Sequence, residues 1–68
     1  MKLKRARKII ESKQIIYPEI EKDIERKIKV LLKRADKKKN AKSAIKYRNK
    51  AFEWEAILKA NFWNVRNV

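Results

Sequence analysis

Several residue types that carry much of protein chemistry are missing from this 68-residue sequence: it has no cysteine, no histidine, no glycine and only one proline. The lack of cysteine and histidine excludes disulfides and the common zinc sites. The lack of glycine excludes a glycine-rich phosphate loop and disfavours the tight turns of β-hairpins. An all-α fold without a bound metal or cofactor is therefore expected.

Catalytic side chains are also scarce. Apart from the tyrosines, only Ser12 and Ser43 offer a hydroxyl nucleophile, and the chain has no histidine to activate either of them. Glu53 and Glu55 lie two positions apart and point to different sides of a helix, so they do not form an acid–base pair. We expect that the protein is not an enzyme.

Long apolar runs are absent as well. No stretch approaches the roughly 20 apolar residues of a membrane span. The basic segment at the start of the sequence is not followed by the apolar segment of a secretory signal. The sequence therefore predicts an intracellular protein, in the cytoplasm or within a ribonucleoprotein or viral particle.

Positive charge, in contrast, is abundant. Lysine and arginine number 21 against 8 aspartates and glutamates, which gives a formal net charge of +13. Self-repulsion at this charge destabilises a compact monomer, and binding to a polyanion would relieve it. Since solubility alone is normally reached with less charge, the composition favours a nucleic-acid partner, either RNA or DNA.

The residue pattern predicts one basic helical domain over residues 1–68, with helices at about 2–14, 18–37 and 41–61. Pro18 suits a first helical turn and disfavours helix in the residue before it, so a break is expected at about 15–18. A turn within about 35–42 brings the apolar sides of the second and third helices together, whereas one continuous helix from Pro18 would place them on opposite sides. The expected fold is a small three-helix domain, or a helical hairpin with an additional N-terminal helix.

Apolar residues at helical spacing predict the core. In the first segment they are Leu3, Ala6, Ile9, Ile10 and Tyr17, and in the second they are Ile20, Ile24, Ile28, Leu31, Leu32 and Ala35. The third segment has two apolar sides. The first comprises Ala44, Tyr47, Ala51, Trp54, Leu58, Phe62 and Val65, and the second comprises Ala41, Ile45, Phe52, Ala56 and Trp63. Two apolar sides on one helix imply two contacts, so we expect Ile45, Phe52 and Trp63 to form a partner interface with a second copy or a larger assembly.

The sharpest functional signal is a stripe of cations on the outer side of the second helix, which we name the ridge. Its members are Lys22, Arg26, Lys29, Lys33 and Lys37. At about 1.5 Å per residue the ridge is roughly 22 Å long. The acidic residues of this helix lie at the edges of the ridge, which leaves a continuous positive surface of the kind that binds phosphates. Because lysine predominates and arginine is the residue that reads guanine edges, the pattern predicts backbone binding with weak sequence preference.

Two further basic sets are candidates for the same role. The turn and third helix contribute Lys38, Lys39, Lys42, Lys46 and Lys50, and the N-terminal segment contributes Lys4, Arg5, Arg7 and Lys8. N-terminal arms of this composition are often disordered until they meet nucleic acid. Core packing is the favoured role of the aromatic residues, ahead of base stacking, because they recur at helical spacing and alternate with alanine.

The favoured function is thus non-catalytic binding of nucleic-acid backbone, for example in a ribonucleoprotein, in chromatin or in a virus or phage. One alternative is a cationic membrane-active peptide: the charge, the tryptophans and the missing signal resemble leaderless bacteriocins, although those are richer in glycine and poorer in acidic residues. Another alternative is an interaction module or inhibitor that docks on an acidic protein surface. The net positive charge does not distinguish nucleic acid from an acidic protein surface, because either partner would favour a basic protein.

Overall fold

The computed structural model describes residues 1–66 and contains three helices: α1 (Leu3–Glu11), α2 (Pro18–Lys37) and α3 (Ala41–Arg66). No strand occurs within these residues, and the all-α fold class is confirmed. The first helix is shorter than the expected 2–14, and the third continues beyond residue 61. None of the three helices is both long and apolar enough to cross a membrane.

The boundaries of α2 and the start of α3 follow from local sequence. Pro18 occupies the first turn of α2, after an extended Tyr17, where its missing N–H costs no hydrogen bond. Residues 38–40 then form the turn, and the side chain of Asn40 accepts the Lys42 N–H at 2.9 Å. This side chain satisfies one of the free N–H groups at the start of α3. The helix is therefore interrupted within the predicted 35–42 segment.

The end of α1 is closed by a residue in the left-handed region, Lys13, with φ of 58°. The Lys13 N–H donates to the Ile10 carbonyl and the Gln14 N–H donates to the Ile9 carbonyl, both at 3.0 Å. These two bonds form the Schellman motif that commonly ends helices. Glycine usually occupies this position, and in a chain without glycine a lysine takes it at a cost of about 1 kcal/mol.

α2 and α3 form an antiparallel hairpin. Arg48 of α3 lies 3.5 Å from Asp36 near the turn. At the other end of the hairpin, the Asn61 side chain donates to the Glu21 carboxylate at 2.6 Å. Residues later in α3 therefore meet residues earlier in α2.

α1 packs against α3 and runs parallel to it. Near its middle, Arg7 forms an ion pair with Glu53 at 2.7 Å. Further along, the Asn64 side chain donates to the Ile10 carbonyl at 3.3 Å. The three helices therefore run up, down and up along an elongated body whose longest extent is 44 Å.

The core contains the apolar residues expected for α2 and most of those expected for α1. The buried cluster consists of Ala6, Ile16, Ile24, Ile28, Ala51, Trp54 and Ile57, and partly buried residues packed against it are Leu3, Ile9, Ile10, Ile20, Leu31, Leu32 and Leu58. Ala35 is also buried.

Tyr17 was wrongly expected on the buried side of the first helix, since its side chain is 67% exposed. Helical spacing no longer applies there, because α1 has already ended at Glu11. The backbone at Tyr17 is extended, and successive side chains of an extended segment point in opposite directions. As a result Ile16 is buried at 2% exposure, whereas Ile15 and Tyr17 on either side of it are exposed.

The prediction was also wrong for Phe62 and Val65 on α3, which are 61% and 48% exposed. Leu58 is only partly buried, and its neighbour Ile57 is buried. For Phe62 the reason is that α1 and the segment after it pack on one flank of α3 and draw Ile57 and Asn61 into the interior. Val65 lies on nearly the same side as Asn61 but next to Arg66, the last residue of α3. Near its C-terminal end, the buried side of α3 therefore faces this segment as well as α2.

Candidate nucleic-acid interface

All five ridge cations are exposed on α2. Arg26 is the one ridge residue that forms an ion pair within residues 1–66, with Asp23 at 3.9 Å. Both of these side chains are mostly in solvent, so their pairing contributes little. The other ridge cations are available to external anions as far as the described residues are concerned.

The acidic residues at one edge of the ridge are directed toward α3. Glu21 is half-buried and its carboxylate accepts a hydrogen bond from Asn61 at 2.6 Å. Asp36 lies 3.5 Å from Arg48 of α3. These contacts hold negative charge at the helix–helix contact and away from the ridge, which increases the positive potential of the outer side of α2.

The second basic set is exposed throughout, from Lys38 and Lys39 in the turn to Lys42, Lys46 and Lys50 on α3. It meets the ridge at the turn, where Lys37 and Lys38 line one surface depression together with Arg34 and Tyr47. The Lys38 ammonium lies 5.6 Å from the centre of the Tyr47 ring, a cation–π distance. The turn therefore joins the two sets into one basic surface at this end of the molecule.

The N-terminal set lies on α1, within the helix expected at about 2–14, and not on the disordered arm that is common for this composition. Lys4, Arg5, Arg7 and Lys8 are exposed on α1, while Ala6 between them is fully buried. Packing of this apolar side against α3 supplies the stabilisation that a free basic arm would lack. Arg7 is partly neutralised by Glu53, and the other cations of the set have no ion-pair partner within residues 1–66.

Two cations that the sequence reading did not select, Lys27 and Arg34, border a groove between α2 and α3. The groove has a volume of about 610 Å³. Its lining residues are Met1, Lys2, Leu3, Arg26, Lys27, Val30, Leu31, Arg34, Lys50 and Trp54. No acidic side chain is among them. The seven-residue spacing of Lys27 and Arg34 was the signal for this site, because it places both on one flank of α2.

Several positive groups lie close together at the end of this groove nearest to α1. The Lys27 ammonium lies 5.0 Å from the centre of the Trp54 ring and donates to the Met1 carbonyl at 2.7 Å. The pKa of the Met1 amino group is lowered from its ordinary value, first by a hydrogen bond with Lys27 and then by the charge of that lysine. The depressed pKa reflects a local environment that disfavours further positive charge.

The residues expected to contact a partner are exposed. Ile45, Phe52 and Trp63 are 54%, 57% and 59% exposed. The helical repeat places all three on the side of α3 opposite the buried Trp54. Nothing in residues 1–66 covers them, and what they contact in an assembly stays a prediction.

Within residues 1–66 no group of three or more acidic side chains comes together in a way that could hold a metal ion. No family model matches the chain, and comparison with curated proteins and with solved structures found no match.

Proposed function

We propose that this protein binds the phosphate backbone of RNA or DNA through the ridge, without catalysing a reaction. The observation that carries the proposal is the exposure of all five ridge cations, of which only Arg26 meets an acidic side chain within the described residues. A regular row of lysines supplies charge without the bidentate geometry that reads bases. The proposed binding is therefore insensitive to sequence and driven by release of counterions from the nucleic acid.

The basic surface at the turn extends this interface. Lys37 and Lys38 stand side by side there, so a polyanion bound along the ridge can continue onto Lys42 and Lys46 of α3. The N-terminal cations lie on a separate helix and serve as a secondary contact. Partners of this chemistry occur in ribonucleoproteins, chromatin and viral particles, and the positive charge alone does not distinguish RNA from DNA.

Reversal of two ridge charges tests this proposal. The double variant Lys29→Glu and Lys33→Glu should bind a mixed-sequence duplex about 10- to 100-fold more weakly than the unmodified protein at about 50 mM salt. The matched control is Lys59→Glu and Arg66→Glu on α3, which also lowers the net charge by four. Fluorescence anisotropy of a labelled oligonucleotide measures both.

The control variant should retain most of the affinity, because its cations lie on α3 and the acidic residues Glu21 and Glu25 separate Lys59 from the ridge. Equal weakening by the two variants would show that only total charge matters and would contradict a ridge site. Complete absence of binding by the unmodified protein to both RNA and DNA would overturn the proposed function itself.

The exposed apolar side of α3 favours a second candidate, adsorption to an anionic membrane surface. Phe52 and Trp63 are more than half exposed, and aromatic side chains flanked by cations are typical of helices that lie in the lipid interface. This candidate predicts leakage of dye from anionic vesicles, lost in Phe52→Gln and Trp63→Gln. The nucleic-acid proposal predicts intact vesicles.

A further inference from the structure

α1 leaves part of the contact region between α2 and α3 uncovered. It has 9 residues against 26 in α3, and at 1.5 Å per residue it is only about 14 Å long. The uncovered part is the groove described above, which begins at the first residues of α1 and continues beside Arg34 toward the turn. The groove therefore lies in line with α1 along the hairpin, between the first residues of α1 and the turn.

The groove combines an apolar floor with a basic rim. Val30 is 46% exposed in it, next to the partly buried Leu31. By the helical repeat, Lys27 and Arg34 of α2 lie between Val30 and Leu31. Arg26 of α2 is the cation on the outer side of Val30, and Lys50 of α3 lies beyond Leu31. Exposed apolar surface between cations is unfavourable in water, and it is matched by a ligand that carries apolar groups between anions.

A nucleic-acid duplex does not supply that match. Its outer surface is charged phosphate and sugar, so it could neutralise the rim but would leave the floor without a partner. Stacking of single-stranded bases requires an exposed aromatic ring, and Trp54 beneath the groove is 3% exposed and covered by Lys27. The floor is therefore better suited to aliphatic side chains than to bases.

We propose that this groove binds an acidic amphipathic helix of another protein. Its apolar side chains would pack on Val30 and Leu31, and its carboxylates would meet Lys27, Arg34 and Lys50. This helix-in-groove mode places anchor residues at positions i, i+3, i+4 and i+7. The inference does not depend on the ridge binding nucleic acid.

The spacing of the rim supports a helical ligand. Lys27 and Arg34 are seven residues apart, which corresponds to about 10.5 Å along α2. Two carboxylates seven residues apart on a helix packed alongside α2 have the same separation. The molecule already contains a contact of this type, because α1 buries Ala6 against the hairpin while Arg7 beside it pairs with Glu53.

A labelled acidic peptide tests the proposal. The probe is a helical peptide of leucine, alanine, glutamine and glutamate with leucines on one side, compared with a permuted peptide of the same composition that has no apolar side. At about 150 mM salt, where exposed charges more than about 8 Å apart are largely screened, the amphipathic peptide should bind at least about tenfold more tightly. Equal binding of the two peptides would overturn the proposal, since it would show attraction by charge alone.

Adjacent residues on α2 provide a matched pair of variants. Arg34→Glu alters the groove and Lys33→Glu alters the ridge, with the same change in net charge. Arg34→Glu should weaken the peptide at least about tenfold and Lys33→Glu less than about threefold. Lys33→Glu should in turn weaken a duplex more than Arg34→Glu does, because Lys33 lies within the ridge, whereas Arg34 only borders the basic surface at the turn. Equal effects of the two variants on peptide binding would contradict a groove site.

Val30→Gln is a second groove variant that leaves the charge unchanged. Its side chain is exposed and outside the buried core, so the fold should be retained, and circular dichroism verifies this. Weaker peptide binding with unchanged duplex binding supports the proposal. If Val30→Gln instead weakens binding of single-stranded nucleic acid and spares the peptide, the groove belongs to the nucleic acid and the protein-ligand proposal is wrong.

Discussion

The side-chain amide of Asn61 pairs with the peptide groups of Ile16. Asn61 Oδ1 accepts the Ile16 N–H at 2.7 Å, and Asn61 Nδ2 donates to the Ile16 carbonyl at 3.1 Å. The other amide proton reaches Glu21 at 2.6 Å, so a residue that is only 1% exposed has its polar atoms satisfied. This pair attaches the segment between α1 and α2 to α3.

The first prediction concerns this attachment. Asn61→Ala should lower the free energy of unfolding by about 2–4 kcal/mol, because it leaves the buried N–H and carbonyl of Ile16 without partners. Asn61→Asp should be more harmful, since it replaces both amide donors with a carboxylate beside Glu21. Urea unfolding followed by circular dichroism measures both.

Asn64 provides the control for that experiment. It is half-buried, and its side chain makes two longer bonds of 3.3 Å, to the carbonyls of Ile10 and Gln14. Asn64→Ala should therefore cost about 1 kcal/mol or less. A cost at Asn61 no greater than the cost at Asn64 would show that the Ile16 pairing contributes little to stability.

Sequence periodicity was sufficient to predict α2 and its buried residues, because Pro18 marks the start and the apolar spacing is regular. It was insufficient for Ile16 and Asn61. An asparagine within a helix is usually solvent-exposed, and its burial here depends on an extended segment that arrives from a distant part of the chain. Ile57 was missed for the same reason, since the flank of α3 that α1 covers cannot be derived from α3 alone.

The candidate site also contains a part that the sequence predicts and a part that it does not. The ridge was predictable because it is a property of one helix. The groove was predictable only in part, since the spacing of Lys27 and Arg34 is a property of α2, whereas Lys50 comes from α3 and meets them only when the hairpin forms.

The second prediction concerns the core. Ile28 is 8% exposed, so Ile28→Ala should destabilise the protein by about 2–4 kcal/mol through lost burial and a residual cavity. Val30 lies on the same helix but is exposed, and Val30→Ala should change stability by less than about 0.5 kcal/mol. Thermal unfolding distinguishes the two, and similar melting temperatures for both variants would place Ile28 outside the core.

The third prediction uses the left-handed residue at the end of α1. Lys13→Gly should stabilise the protein by about 0.5–1 kcal/mol, because glycine adopts positive φ without the steric cost of a Cβ. Lys13→Ala removes the same charge but retains the Cβ, and it should bring no gain. Equal stabilities of the two variants in urea would show that backbone strain at this position is negligible.

The fourth prediction concerns the outer side of α3. Phe52→Gln and Trp63→Gln should reduce self-association or binding to a larger assembly, while monomer stability changes by no more than about 0.5 kcal/mol. The reason is that both side chains are exposed and contribute little to the core. Sedimentation velocity over a range of protein concentrations measures association. If the unmodified protein associates and both variants associate equally well, the interface lies on another surface.

The last prediction is the salt dependence of nucleic-acid binding. If each of the five ridge cations neutralises one phosphate of a duplex, the plot of log K against log salt should have a slope of about −4.5 from the ridge alone. The double variant Lys29→Glu and Lys33→Glu removes two of these contacts, so the slope should become shallower by about 1.8. The two side chains lie in solvent, and folding should be retained.

Because phosphate contacts are the same for every sequence, the loss of affinity should also be equal for duplexes of different sequence. An unchanged slope would place the phosphate contacts elsewhere, on α1 or on the turn and α3. A loss confined to particular sequences would indicate that the ridge reads bases.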